Sequence, residues 1–449
     1  MFYRNSNFKT DTYYRQFYDQ LNKARSSGKR EVLINTIRRL NNCQWALKLK
    51  GDIKIQEIID DNWDDFLTIH PRNCLRSAII DNVEKMLKCK KLEMGMSYYE
   101  CPNCNNYYVC LHTCKSSFCP TCGKKRRDKI ALNVSKKIIK APHRQLVFTV
   151  PTELRGFFRY YRDQISILFE AANESIVDLL KRHAPKKYKE EKRKIGIICF
   201  LHTYGRAMNR HPHIHVLFAE KFLTKDGELK DFYFLKFDYV RKHFLFSVIK
   251  KIRRFLNTER VSDKVRKKYR AIIESVQKRA VNGSYFYGKK TESITSITSI
   301  KAVAKYIARY AAHPAISERR ILKYDSKTKM VTWFYDPHED DNKDEDAEDY
   351  KGRQYITESA LKFIERLIIH INDRYFSVVR YYGFYSNNSK NNFKNIRKMF
   401  SDEEIEKLVL RLEWKFGLLY AFGYNPLLCE CGHEMVYIPE KSIERMHPT

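Results

Sequence analysis

Between Glu31 and Lys90 the apolar residues recur at helical spacing, as Val32, Ile34, Ile37 and Leu40 and again as Ile79, Ile80, Val83, Met86 and Leu87, with Pro71 as punctuation. This predicts a small helical domain. Further on the period changes. Gln145–Val150 (QLVFTV), Ile195–Tyr204 (IGIICFLHTY) and His213–Ala219 (HIHVLFA) are apolar, β-branched runs that read as strands. Gly205–Arg210 is a hairpin connection between the last two, so they should pair antiparallel. Helical patterns are expected over Lys124–Lys140, Phe157–Lys181, Lys236–Asn257 and Asp263–Val281, with the basic run up to Lys194 as a surface loop. Ser299–Ala312 (SIKAVAKYIARYAA) is the plainest helix of the chain, with Ser299 as its N-cap. Ile321–Tyr335 alternates like a hairpin, and Ile356–Ile371 reads as another helix.

These patterns suggest a division into a basic arm (1–35), a helical domain (36–95), a cysteine-rich domain (96–125), a large mixed domain (126–385) with an acidic loop at 336–350, and a C-terminal DNA-binding or accessory segment (386–449). A chain of 449 residues with 43% hydrophobic residues is long and apolar enough for several cores, which excludes a mainly disordered protein. It has no apolar run of membrane-spanning length and no hydrophobic signal core at its start, so a soluble, cytoplasmic protein without a membrane partner is expected.

Charge narrows the function. The formal net charge is +32 even though nine acids crowd into Asp336–Asp349. A surface so basic attracts polyanions, and nucleic acid is the first expectation. Within the helix Lys124–Lys140, the row Lys124, Lys125, Arg126 and Arg127 is a candidate phosphate-contacting surface.

Four groups of residues carry candidate chemistry. Cys101-x2-Cys104 and Cys119-x2-Cys122 are two knuckles of the kind that give Zn²⁺ four thiolates, and one structural zinc site is expected from them. Cys110, Cys114 and His112 lie in the intervening loop and could replace a ligand, Cys114 first among them, or serve a second ion. His211-Pro-His213-Ile-His215 puts His213 and His215 on one face of a strand, a divalent-metal half-site. If His202 sits opposite His213, it becomes the third ligand; a one-residue slip would remove it. Tyr306 and Tyr310 stand one turn apart on a helix, where both hydroxyls share a face. The tail Cys429-Glu-Cys431-Gly-His433 is either a small second knuckle or an unliganded segment.

Together and in this order, the cysteine knuckles, Leu146–Pro151, His202–Gly205, the HxH strand, the YxxxY helix and Arg380-Tyr-Tyr-Gly383 resemble the rolling-circle insertion-sequence transposases of the two-tyrosine HUH type, the IS ninety-one-like group. The resemblance implies an α+β fold: an HUH-nuclease core with a central antiparallel sheet flanked by helices, preceded by a helical and zinc-knuckle domain. It implies Mg²⁺ or Mn²⁺ on His213 and His215, structural Zn²⁺, and cleavage of single-stranded DNA, in particular element ends, by Tyr306 and Tyr310 through a 5′-phosphotyrosine. The acidic insertion and the tight tail Cys pair depart from the family pattern. A plasmid or phage replication initiator, with the same nicking chemistry, and a non-enzymatic zinc-finger DNA-binding protein are the alternatives.

Overall fold

The computed structural model describes residues 2–4, 53–183, 185–232, 237–281, 315–337, 352–386, 401–403, 405–406 and 427–444. The basic arm beyond residue 4, the expected helix Ser299–Ala312 and the acidic loop from residue 338 lie outside these. The fold is α+β, and the chain divides into two compact units. One draws on Met1–Arg126, Ile316–Ile371 and Lys407–Thr449, the other on Arg127–Ala315 and Asn372–Glu406. Residues 316–371, expected within the large mixed domain, therefore fall in the cysteine-bearing unit.

In that first unit, α1 (Ile55–Ile69) and α2 (Ser77–Leu87) bury Ile58, Ile59, Trp63 and Phe66 and Ile79, Val83 and Met86 at i, i+3/i+4 spacing. β2 (Met96–Glu100) and β3 (Tyr107–Leu111) form a hairpin. It is flanked by β1 (Phe2–Arg4) on one side and, on the other, by a strand from the far end of the chain (Val436–Tyr437). A second sheet comprises β8 (Ile321–Asp325), β9 (Met330–Tyr335) and β10 (Gln354–Ser359). The first two are the expected hairpin. β10 takes the first turn of the expected helix Ile356–Ile371, because Ser359 caps the helix only from Ala360, accepting a hydrogen bond from Lys362 N. The buried indole of Trp333 donates to Glu358 Oε1 (2.9 Å), which fixes that strand.

The second unit is built on an antiparallel sheet in the order β11-β5-β6-β4, with β7 (Leu229–Asp231) on β6. Its strands are β4 (His143–Thr149), β5 (Lys194–Tyr204), β6 (Arg210–Leu223) and β11 (Val379–Tyr382). Alternation along the two central strands creates two faces. Ile197, Cys199, Leu201, Ile214, Val216 and Phe218 point into a core shared with α4 (Thr152–Tyr160), α5 (Ser166–His183), α7 (Phe237–Leu256) and α8 (Asp263–Val281). Ile198, Phe200, Leu217 and Ala219 point the other way, against Val134, Ile138 and Phe384. The expected helix Phe157–Lys181 is interrupted by a 3₁₀ turn at Arg162–Ile165, and the expected loop before Lys194 contains a short helix, α6 (Pro185–Glu190).

The motif Arg380–Gly383 becomes the edge strand β11 and the turn that leaves it. Gly383 has φ +59°, and a Cβ there would lie 1.6 Å from the carbonyl oxygen of Ile195, so only glycine lets the chain pass this close to β5. The turn drives Phe384 and Tyr385 into the core.

Candidate functional site

The hairpin of β5 and β6 sets the site. Its register pairs His202 with His213 and Phe200 with His215. His202, His213 and His215 therefore share the face that carries Phe200 and Leu217, and the apolar row gives way to three imidazoles. One ring nitrogen from each lies within 4.8 Å of the others. Pro212 does not end the strand. β4 stops at Thr149, opposite His213, and a bulge between His202 and Tyr204 absorbs one residue, so no ladder bond asks Pro212 for a proton.

His211 is carried along by this extension but joins a different partner. Arg155 Nη2 donates to its Nε2 (3.1 Å), while Arg155 Nε donates to the carbonyl of Val150 (3.2 Å). His213 is oriented by its own strand: Nδ1 lies 2.8 Å from the carbonyl oxygen of His211. A carbonyl only accepts, so Nδ1 carries the hydrogen and Nε2 keeps a lone pair. Burial pushes the His213 pKa down to about 4 and that of His215 well below the ordinary range, which keeps both rings neutral and able to bind a cation at pH 7. Among the described residues no carboxylate joins the three histidines. A nitrogen donor set of this kind fits a divalent first-row ion such as Mn²⁺ better than oxygen-seeking Mg²⁺. Tyr306 and Tyr310 lie outside the described residues.

The cysteines do not assemble as the spacing predicts. Cys119 and Cys122 gather with Cys114 and Cys89, all four buried, with sulfur separations of 3.6 Å (Cys114–Cys122), 3.7 Å (Cys89–Cys122) and 3.7 Å (Cys119–Cys89). Four thiolates bonded to zinc at ~2.3 Å span tetrahedral edges of ~3.8 Å, so this cage fits the ion. Hydrogen bonding from Cys114 and Cys119 holds the Cys122 thiol far below its usual range. Backbone N–H groups of Cys114 and Ser116 point at Cys89 Sγ and Cys114 Sγ, each at 3.4 Å, and would stabilise charge on sulfur.

Cys101 and Cys104 are elsewhere, beside Cys429 and Cys431. The single site expected from the two CxxC pairs is thus corrected. The fourteen residues between the pairs are not a returning loop: they include β3, whose five residues carry the chain ~17 Å away. Cys101 and Cys104 sit at one end of that strand, whereas Lys90 N bonds to the carbonyl of His112 at the other and brings Cys89 to the second knuckle. His112 joins neither cluster among the described residues; its Nε2 meets Ser97 Oγ at 2.9 Å. Cys110 belongs to neither cluster.

The family model described as "Transposase zinc-binding domain" matches residues 58–150, and the one described as "Putative transposase" matches residues 196–392. The transposase for insertion sequence element IS801 of Pseudomonas savastanoi pv. phaseolicola is 28% identical over 323 residues, 70% of this chain and 72% of that protein. The chain is an IS ninety-one-like transposase with an N-terminal zinc-binding domain. The putative transposase y4qJ of Sinorhizobium fredii is 22% identical over 310 residues, 67% of this chain and 72% of that protein. No solved structure matches the chain.

The transposase is a DNA-cleaving and strand-transferring enzyme, and DNA is its partner. No helix among the described residues is long and apolar enough to cross a membrane. Lys124, Lys125, Arg126 and Arg127 fall on α3 (Pro120–Ser135), whose first turn also carries Cys122. Lys125 and Arg126 are exposed, whereas Arg127 is half-buried with its Nε 3.7 Å from Asp128. Sequence reasoning missed Cys89 as a partner of the second knuckle. The available signal was its place just past the end of an amphipathic helix, shortly before the first knuckle.

Proposed function

We propose that this transposase cuts and rejoins single-stranded element ends in the cytoplasm by rolling-circle transposition, through a tyrosine–5′-phosphate intermediate. His202, His213 and His215 would hold Mn²⁺ or Mg²⁺, and Tyr306 and Tyr310 are the nucleophiles. The observation that carries the reading is the convergence of three imidazoles on one sheet face. A divalent ion bound there supplies positive charge to the non-bridging oxygens of the scissile phosphate.

The protein's own groups do the rest. The backbone bond from His213 Nδ1 fixes the ring and its tautomer, so one ligand direction is set before any ion or DNA arrives. Arg155 holds His211 aside and keeps its guanidinium charge beside the site. A tyrosine oxygen forms a bond to phosphorus as the bond from phosphorus to the 3′ oxygen breaks, and the phenolic proton passes to that oxygen. One phosphodiester replaces another, so no nucleotide is consumed, and the free 3′-OH can reverse the reaction on a second phosphotyrosine. Two tyrosines allow two strand ends to be held in turn. Zn²⁺ on Cys89, Cys114, Cys119 and Cys122 would fix the start of α3, which presents Lys125 and Arg126 to phosphates.

The test uses a single-stranded element end labelled at its 3′ terminus, with the full transposase and Mn²⁺, resolved on a denaturing gel. Label should migrate with the protein, Tyr306→Phe and Tyr310→Phe should each lose part of it, and the double variant should lose all of it. Adduct formation undiminished in the double variant would refute the assignment.

A further inference from the structure

The second cysteine cluster lies partly outside the zinc-binding domain's matched residues. Cys101 and Cys104 fall within 58–150, whereas Cys429 and Cys431 come from the other end of the chain. We propose that these four bind a second Zn²⁺, and that this ion clasps the C-terminal segment to the N-terminal hairpin. The proposal stands apart from the nuclease chemistry.

Geometry supports it first. Cys101 Sγ lies 3.4 Å from Cys431 Sγ, and Cys104 Sγ 3.4 Å from Cys429 Sγ. These separations are far beyond a disulfide bond and near the ~3.8 Å edge of a four-thiolate zinc cage. Four thiols so close gain little from one another, because sulfur is a weak hydrogen-bonding group; a cation shared by four thiolates gains a great deal.

The backbone of both knuckles is shaped for the same purpose. In the first, Cys101 N donates to the carbonyl of Asn106 (2.7 Å) and Asn105 N to that of Cys101 (3.1 Å), with Asn105 at φ +54°. In the second, Cys429 N donates to the carbonyl of His433 (2.9 Å) and Gly432 N to that of Cys429 (2.9 Å), with Gly432 at φ +86°. Each tight turn brings two thiols to one side. Gly432 explains how a pair one residue shorter than CxxC still closes: the left-handed residue after Cys431 supplies the reversal.

The segment beyond the knuckle is docked in register. β12 (Val436–Tyr437) pairs with Glu100 and Tyr99 of β2. Ile438 N donates to the carbonyl of Tyr98 (2.9 Å), Ile443 N to that of Met96 (3.0 Å), and Lys441 pairs with Glu100. A two-residue strand is too short to hold by itself, and Val436 and Tyr437 are half exposed. A metal closing a loop of 325 residues between Cys104 and Cys429 provides what the strand lacks.

Cys104 and Cys431 are exposed, which makes the proposal testable on the intact protein. Zinc content, measured on protein purified without chelator, should be two per chain. It should fall to one in Cys429→Ser/Cys431→Ser and to one in Cys119→Ser/Cys122→Ser. In the native wild type, N-ethylmaleimide should leave Cys104 and Cys431 unlabelled until a strong chelator is added. Amide exchange at Ile438 and Ile443 should be at least tenfold faster in the tail variant. One zinc per chain in the wild type, two in the tail variant, or rapid labelling of Cys104 and Cys431 without chelator would each overturn the proposal. The labelling arm uses unmutated protein, so it decides even if a variant fails to fold. None of these readouts depends on DNA cleavage.

Discussion

Acidification should weaken the sheet unit through a histidine remote from the proposed metal ligands. His143 opens β4 and is only 2% exposed. Its Nδ1 donates to the carbonyl of Ala141 (2.8 Å), so its Nε2 accepts from the hydroxyl of Tyr385 (2.6 Å), itself fixed by the Gly383 turn. Burial lowers its pKa from 6.5 to about 4. Because the folded value lies below the unfolded one, the unfolded chain takes the proton first. The stability is complete above pH 6.5, is lost as the pH falls, and levels off below about pH 4. From pH 8 to pH 5 the loss spans roughly 1.5 units at about 1.4 kcal/mol each, or about 2 kcal/mol. Pulse proteolysis in urea, followed by mass spectrometry of peptides from β4 and β5, would compare wild type with His143→Gln at the two pH values. The variant should be less stable at pH 8 yet lose about 2 kcal/mol less on going to pH 5, since contributions from other groups cancel in the difference. Equal losses in the two proteins would refute the reasoning.

Three further outcomes follow. Gly383→Ala places a methyl against the carbonyl of Ile195 in a left-handed conformation and should cost about 3 kcal/mol or more, read as a lowered urea midpoint for the same peptides. His211→Ala should change Mn²⁺ affinity by less than about threefold, whereas His215→Ala should weaken it by about a hundredfold or more, measured by electron paramagnetic resonance titration; equal effects would make His211 a ligand. Lys125→Ala/Arg126→Ala should lower DNA affinity at all sequences and reduce the slope of log K against log salt by about one to two, whereas an unchanged slope would remove both from the phosphate-contacting surface.

The parts of this architecture set by short-range periodicity could be read in the chain. β5 and β6 announce themselves by β-branched runs around a turn, whereas their register stayed conditional in the sequence, and the structure supplies the pairing of His202 with His213. The termini of α7 and α8 lie within a residue or so of the pattern. What could not be read was long-range pairing. The two CxxC motifs look like one zinc site in one dimension, and only the extended run of β3 separates them. Cys429 and Cys431 find partners more than 300 residues away, a distance over which no local pattern carries information. β10 was missed because Ile356–Ile371 is apolar at helical spacing throughout, and the pairing of Ile356 with Trp333 overrides that preference for the first four residues. The edge position of Arg380–Gly383 likewise depends on a contact with Ile195 that no pattern in the chain encodes.

The claim that the histidine face is a metal centre for DNA cleavage is tested most directly by adduct formation under control of the metal. The full transposase would be freed of metal at the histidine site by a weak chelator, incubated with the 3′-labelled single-stranded element end, and titrated with Mn²⁺ or Mg²⁺. Wild type should form no protein-linked label without added metal and should regain it with Mn²⁺ at lower concentration than with Mg²⁺. His213→Ala should form none at either while binding the same DNA with affinity within about twofold, because the change removes an imidazole and not a phosphate contact. Adduct formed equally by His213→Ala, or by wild type in the absence of any divalent ion, would contradict the account.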